Sequence, residues 1–149
     1  MSDVQRLALL VKAVHRKAMR DMNAALRGLE LTAPQAEALA VLHDAGALSL
    51  NELGALLIAE GGHPSRLVDR LVAAGWVARA EAPDDRRRVT LRLTPAGERL
   101  HVLAQERAAP IQANFAERLD GADVRAACAA LAAYLDGSEL ADVIERRMG

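Results

Sequence analysis

The chain has 149 residues and a formal net charge of −1, with 52% hydrophobic and 2% aromatic residues and a single cysteine. That length fits one domain, or a binding lobe fused to an assembly lobe, and a core must come from aliphatic side chains. No run approaches the ~20 apolar residues of a membrane span, no apolar signal core follows the N-terminus, and one cysteine cannot close an internal disulfide, so a cytoplasmic protein without membrane partners is expected.

In chain order, Val4, Leu7, Val11, Val14, Ala18, Met22, Ala25 and Leu29 recur on one helical face, predicting a helix of about 26 residues, or ~39 Å at 1.5 Å per residue. Arg6, Lys12, Arg16, Lys17 and Arg20 lie elsewhere on its circumference. So long a stripe needs a partner, and a second subunit is the ready candidate. Thr32-x-x-Gln35 and Ser49-x-x-Glu52 read as capping boxes, each opening a helix, and Gly46 marks the end of the first.

His63-Pro64 opens the next helix, since proline fits a first-turn position whose N–H has no intrahelical partner, and Gly75 stops it. Leu67, Val68, Leu71, Val72 and Ala74 form an apolar stripe, with Ser65, Arg66, Asp69, Arg70 and Ala73 opposite. After Gly75 the period changes to two. Val89, Leu91 and Leu93 alternate with Thr90 and Arg92, and residues 76 to 82 supply a partner strand across a Pro83-Asp84-Asp85 turn, which places Arg86, Arg87 and Arg88 near a hairpin tip. Thr94-Pro95 caps a further helix, reaching toward Leu119 with a kink or break expected at Pro110. Asp120-x-x-Asp123 then caps an Ala-rich helix ending at Gly137, and residues 138 to 147 form a last short one.

A helix with a free basic face beside an arginine-tipped hairpin is a nucleic-acid-binding pattern. The near-zero net charge does not oppose it, because residues 60 to 99 carry eight Arg against six Asp and Glu while residues 100 to 149 carry five Arg against eight acids. A compact positive patch, rather than overall charge, steers a protein onto phosphates.

The block RLVDRLVAAGWVAR at 66 to 79, the Asp85-Arg86-Arg87 hairpin signature and LTPAG at 93 to 97 resemble winged-helix regulators of the multiple-antibiotic-resistance regulator (MarR) type. LTAPQAEALAVL at 31 to 42 and LSLNELGALL at 48 to 57 are similar to that family's two preceding helices. The resemblance covers essentially the whole chain. It implies a mainly α fold with a small β-hairpin wing: a winged helix-turn-helix lobe over residues 31 to 99, flanked by dimerisation helices at 1 to 30 and 100 to 149 in one intertwined domain. It also implies a homodimeric regulator, usually a repressor, on double-stranded DNA with a pseudo-palindromic site. A small, often phenolic or amphipathic effector would bind between the lobes and change the recognition-helix spacing away from half-sites one helical turn, ~34 Å, apart. No cofactor is expected.

Within that frame Ser65 and Arg66 occupy the helix turns that reach base edges, where an arginine can bond guanine in a bidentate manner; the alternative is an exposed, solvated face. Arg70 is placed on a phosphate or beside Asp69, and His63 at the cap rather than on DNA. Asp85 and Arg87 match the family's Asp-x-Arg pattern, which implies that the acid braces one arginine while a neighbour among Arg86, Arg87 and Arg88 enters a narrow minor groove; a solvated charged turn is the plainer alternative. His15, Met19 and His43 are candidates to line an aliphatic effector crevice, or are ordinary helix residues. The family's Ser/Thr-rich turn before the recognition helix is here Ala59-Glu60-Gly61-Gly62-His63, which implies a later helix start and a different reading of bases.

Cys128, within Ala-Ala-Cys-Ala-Ala and with Arg125 its nearest cation in sequence, is expected to be a buried small hydrophobe rather than a redox sensor. His15, His43, His63 and His101 have no ligand spacing for zinc. The alternative function is a winged-helix protein-interaction module with weak or lost DNA binding. No Ser-His-Asp order, phosphate loop or dinucleotide fingerprint suggests an enzyme.

Overall fold

A computed structural model describes residues 1–59 and 63–149. Helix α1 (Asp3–Ala25) is followed by α2 (Ala33–Ala45), the short α3 (Leu50–Gly54), α4 (Pro64–Ala73), strands β1 (Val77–Ala82) and β2 (Asp85–Leu93), then α5 (Pro95–Arg118), α6 (Val124–Leu135) and α7 (Glu139–Met148). The order of helices and hairpin is the one the sequence predicts.

Caps set most of the boundaries. Ser2, Thr32 and Ser49 each accept a backbone N–H at the third helical position, while Gln5, Gln35 and Glu52 reach back to the cap N–H, pairing donors that a helix start leaves open. The box at Ser2 had no counterpart in the sequence reading. Helix α1 is 23 residues long, ending before the expected Leu29. Asp123, not Asp120, caps α6 by accepting the Ala126 N–H at 2.9 Å.

The core lies where α2, α3, α4, the hairpin base and α5 meet. Leu39, Leu42, Leu53, Val68, Leu71, Val77 and Leu91 are each almost wholly buried, joined by Leu26 from the end of α1. Truncating one of these leucines to alanine would cost about 2–5 kcal/mol in lost transfer energy and residual cavity. The expected stripe of α4 is buried at Leu67, Val68 and Leu71 and half-buried at Val72. Ala74 is exposed instead, because it is the cap residue beyond the last helical turn.

Strands β1 and β2 pair antiparallel from Val77↔Leu93 to Glu81↔Val89. A short segment before α3 adds to the hairpin: the Leu48 N–H donates to the Leu91 carbonyl at 3.1 Å, and the Leu91 N–H donates back at 2.6 Å. Alternation of buried and exposed residues holds only at the hairpin base. Farther out Val89 is 50% exposed and Thr90 is buried, the reverse of the expected pattern, since the hairpin projects past the core and the Thr90 hydroxyl donates to the Ala80 carbonyl across the pair.

Pro110 does not break α5, which runs through it to Arg118; the missing N–H costs one ladder bond without ending the helix. Cys128 is exposed rather than buried, because among the described residues only α7 packs appreciably on α6, none of whose residues is buried. The N-terminal half of α1 is likewise open, with Val4, Leu7, Leu10, Val11 and Val14 all exposed. No helix among the described residues is long and apolar enough to cross a membrane.

Candidate nucleic-acid interface

Helix α4 presents Ser65, Arg66, Asp69, Arg70 and Ala73 as an exposed face opposite its buried stripe. Its exit is rigid. The Gly75 N–H donates to the Val72 carbonyl and the Trp76 N–H to the Leu71 carbonyl, both at 3.0 Å, with Gly75 at φ +77°; this is the Schellman closure, in which a left-handed residue lets the chain fold back over the last turn.

The LTPAG motif then fastens the wing root to α5. The Thr94 hydroxyl donates to the Gly75 carbonyl at 2.6 Å and accepts the Gly97 N–H at 3.0 Å, while the Thr94 N–H donates to the Trp76 carbonyl at 3.0 Å. Gly97 packs so closely on that carbonyl that a Cβ there would sit 2.0 Å from the Trp76 oxygen. The motif is therefore a joint: it holds the end of α4, the start of β1 and the start of α5 together. Asp69 and Arg79 add an ion pair at 2.5 Å between α4 and β1, worth no more than about 1 kcal/mol at this exposure. Because Arg79 takes Asp69, Arg70 is left without an ion pair among the described residues.

At the hairpin tip the register jumps. Glu81 faces Val89 but Ala82 faces Asp85, so Arg86, Arg87 and Arg88 have no opposite residue on β1. A bulge detaches side chains from the pleat and re-aims them, and here all three arginines are exposed. The expected brace takes a different form: Asp85 Oδ1 accepts the backbone N–H of Arg87 at 2.9 Å, shaping the chain rather than gripping a guanidinium. Glu52 on α3 is held below the ordinary carboxylate range by hydrogen bonding with Ser49, and the positive field of Arg88 contributes in the same direction.

His63 occupies the cap position of α4 but its side chain makes no capping bond. It borders instead a hollow of about 690 Å³ between the starts of α2 and α4, with Asn23, Thr32, Gln35, Arg66 and Arg70. The expected consequence of Gly61-Gly62 lies outside the described residues.

Of the residues expected at the crevice, His15 and Met19 line a cavity of about 460 Å³ between α1, α2, α5 and α7. His43 does not. It stacks on His101 with ring centroids 4.4 Å apart and its Nδ1 lies 2.7 Å from Glu98 Oε2, and His101, not expected at the crevice, lines the cavity in its place. Burial, and then the nearby His43, push the His101 imidazole below its ordinary range, against the opposite pull of Asp44 and Glu98. Nor is the lining purely aliphatic, since Glu37, Gln105, Gln112 and Arg147 join it. No group of three or more His, Cys, Asp or Glu residues among the described residues is placed to hold a metal.

Residues 31–97 match the family model of a winged helix DNA-binding domain. The multiple antibiotic resistance protein MarR of Salmonella typhimurium is 34% identical over 96 residues, spanning 64% of this chain and 67% of that protein. The Escherichia coli protein of the same name gives the same identity over the same length. Among solved structures, a mutant E. coli MarR complexed with operator DNA superposes with a TM-score of 0.72 at 29% identity, covering 90% of this chain and 96% of that one. The same mutant without DNA gives a TM-score of 0.64 at 30% identity, covering 87% and 95%.

Proposed function

The chain belongs to the MarR family of winged helix-turn-helix DNA-binding transcriptional regulators, and from that premise we propose how it works: as a homodimer that represses from a pseudo-palindromic site and is released by a small molecule. The observation that carries the reading is the pairing of a bare, basic α4 face with the three bulged wing arginines, fixed relative to each other by the Thr94 and Gly97 joint. Helix α4 enters the major groove, where Arg66 and Ser65 reach base edges and Arg70 a phosphate. One of Arg86, Arg87 and Arg88 enters the flanking minor groove, its approach set by Asp85. That a mutant E. coli MarR of similar fold is found complexed with operator DNA supports DNA as the ligand.

Residues 1 to 30 and 100 to 149 form the dimerisation lobe and residues 31 to 99 the DNA-binding lobe. The uncovered stripe of α1 and the uncovered α6 favour this division, because contiguous apolar surface of that extent marks an interface. The effector occupies the cavity between α1, α2, α5 and α7, beside His15 and Met19. It lowers DNA affinity by preferring a dimer whose two α4 helices no longer match the half-site spacing.

Fluorescence anisotropy with a duplex from the promoter next to the protein's own coding sequence tests the reading. Specific, salt-sensitive binding by the dimer is expected. A folded dimer that shows no preference for that duplex over random DNA at low salt sinks it.

A further inference from the structure

Glu37, on α2, serves two distant parts of the chain at once. Its Oε1 accepts the Ile58 N–H at 3.0 Å and Arg147 Nη1 at 2.6 Å, and its Oε2 accepts the Ala59 N–H at 2.8 Å. Ile58 and Ala59 precede α4, whereas Arg147 belongs to the last turn of α7, 110 residues from Glu37. The Glu37 side chain is only 15% exposed.

We propose that Glu37 is a positioning residue for DNA reading, a joint through which the C-terminal helix restrains the turn leading into α4. The inference rests on the DNA-binding reading above. Backbone N–H groups outside helices and sheets bond to a side chain or to water, and a carboxylate offers a fixed alternative to water with two oxygens and about four lone-pair sites. Glu37 can therefore hold both turn amides while Arg147 balances its charge and limits its rotamers. Charge-assisted bonds of this kind are shorter and stronger than neutral ones. If α7 moves, Arg147 leaves, the carboxylate is freed to turn toward water, and the Ile58–Ala59 turn loses its fixed acceptor. The fraction of molecules with α4 correctly presented then falls, and apparent affinity falls with it. Glu37, Ile58, Ala59 and Arg147 all border the cavity assigned to the effector, so a molecule seated there lies against the joint.

Hydrogen–deuterium exchange and operator anisotropy on the full chain test this, using wild type, Glu37→Gln, Arg147→Ala and Arg147→Lys. Glutamine keeps the shape but offers one acceptor oxygen in place of two. Glu37→Gln and Arg147→Ala should speed exchange at the Ile58 and Ala59 amides by about three- to tenfold, the worth of one net hydrogen bond, with Leu39 and Leu42 amides unchanged. Operator affinity should fall by a similar factor, Arg147→Lys should recover part of it, and the double variant should be no weaker than the worse single. A purely structural ion pair would leave DNA affinity untouched. Unchanged Ile58 and Ala59 exchange in Arg147→Ala overturns the joint whether or not DNA is bound, and unchanged operator affinity in both variants overturns its role in reading DNA. A wild type that binds no operator strikes the underlying reading instead, and the exchange result still decides the joint.

Discussion

Replacing Gly97 by alanine asks whether the wing root is as tightly made as its geometry says. The added methyl would sit 2.0 Å from the Trp76 oxygen and 3.0 Å from its carbonyl carbon, against the ~3.3 Å or more of an ordinary carbon–oxygen contact. Both atoms are backbone, so no rotamer change relieves the clash: α5 or the hairpin must move by more than about 1 Å. Such forced displacement costs about 1–3 kcal/mol. It also stretches the bonds from Thr94 to the Trp76 and Gly75 carbonyls, each worth about 1 kcal/mol net. Alanine recovers up to about 1 kcal/mol through its better helix propensity. A net loss of about 2–4 kcal/mol follows, or a fall in melting temperature of roughly 5–15 °C for a chain of this length. Circular-dichroism melts at fixed protein concentration measure it, since the Tm of an assembling protein depends on concentration. Gly75→Ala is the comparison, because Gly75 has φ +77° but nothing within 4 Å of an added Cβ and should lose only about 1–2 kcal/mol to strain. If Gly97→Ala melts within about 2 °C of wild type, the close approach is not there and the joint does not pin α5.

Other outcomes follow from the same geometry. Arg66→Ala should weaken operator binding by about 1–3 kcal/mol and relax preference at one base position, whereas Arg70→Ala should weaken all sequences alike and reduce the salt slope by about 1; identical profiles for the two would mean that Arg66 reads no base. Leu7→Glu combined with Val11→Glu should leave a monomer in analytical ultracentrifugation, and an intact dimer would remove α1 from the interface. His101 is held below its unfolded value of 6.5, so the unfolded chain takes up its proton first and stability falls as pH drops below 6.5 toward the folded value. Urea midpoints between pH 8 and 5 should show this slope and His101→Gln should flatten it; an unchanged slope in the variant would place the acid sensitivity elsewhere.

What was legible in the sequence was local. The Thr32 and Ser49 boxes, the Thr94-Pro95 start and the Gly75 stop each involve residues within a few positions of one another, so their chemistry appears as spacing. The wing bulge did not, because the register between Glu81 and Val89 is set by pairing across the hairpin, and periodicity along β2 alone gave the wrong burial for Val89 and Thr90. The α4 face was legible from its period, while Asp69's pairing with Arg79 was not. Glu37 carried no signal, its partners being 21, 22 and 110 residues away. His101 on α5 and His43 on α2 meet only through the packing of those helices. Cys128 departs from expectation for another reason: an Ala-rich flank reads as interior, yet among the described residues too little packs on α6 to make it so.

The uncovered stripe of α1 also bears on the order in which the molecule is made. Helix α1 precedes the winged core in the chain and so leaves the ribosome before it, yet among the described residues it packs mainly on α2 and α5, and α5 begins at Pro95. At about 5–20 residues per second, an amphipathic helix waits several seconds with its apolar side open while the winged core is still being synthesised. The Lys17–Asp21 pair and the basic residues on its other faces keep the rest of that waiting helix hydrated. A segment made before the winged core is thus covered after it, and nascent chains meeting at this stage offer each other the surface that neither can yet bury alone.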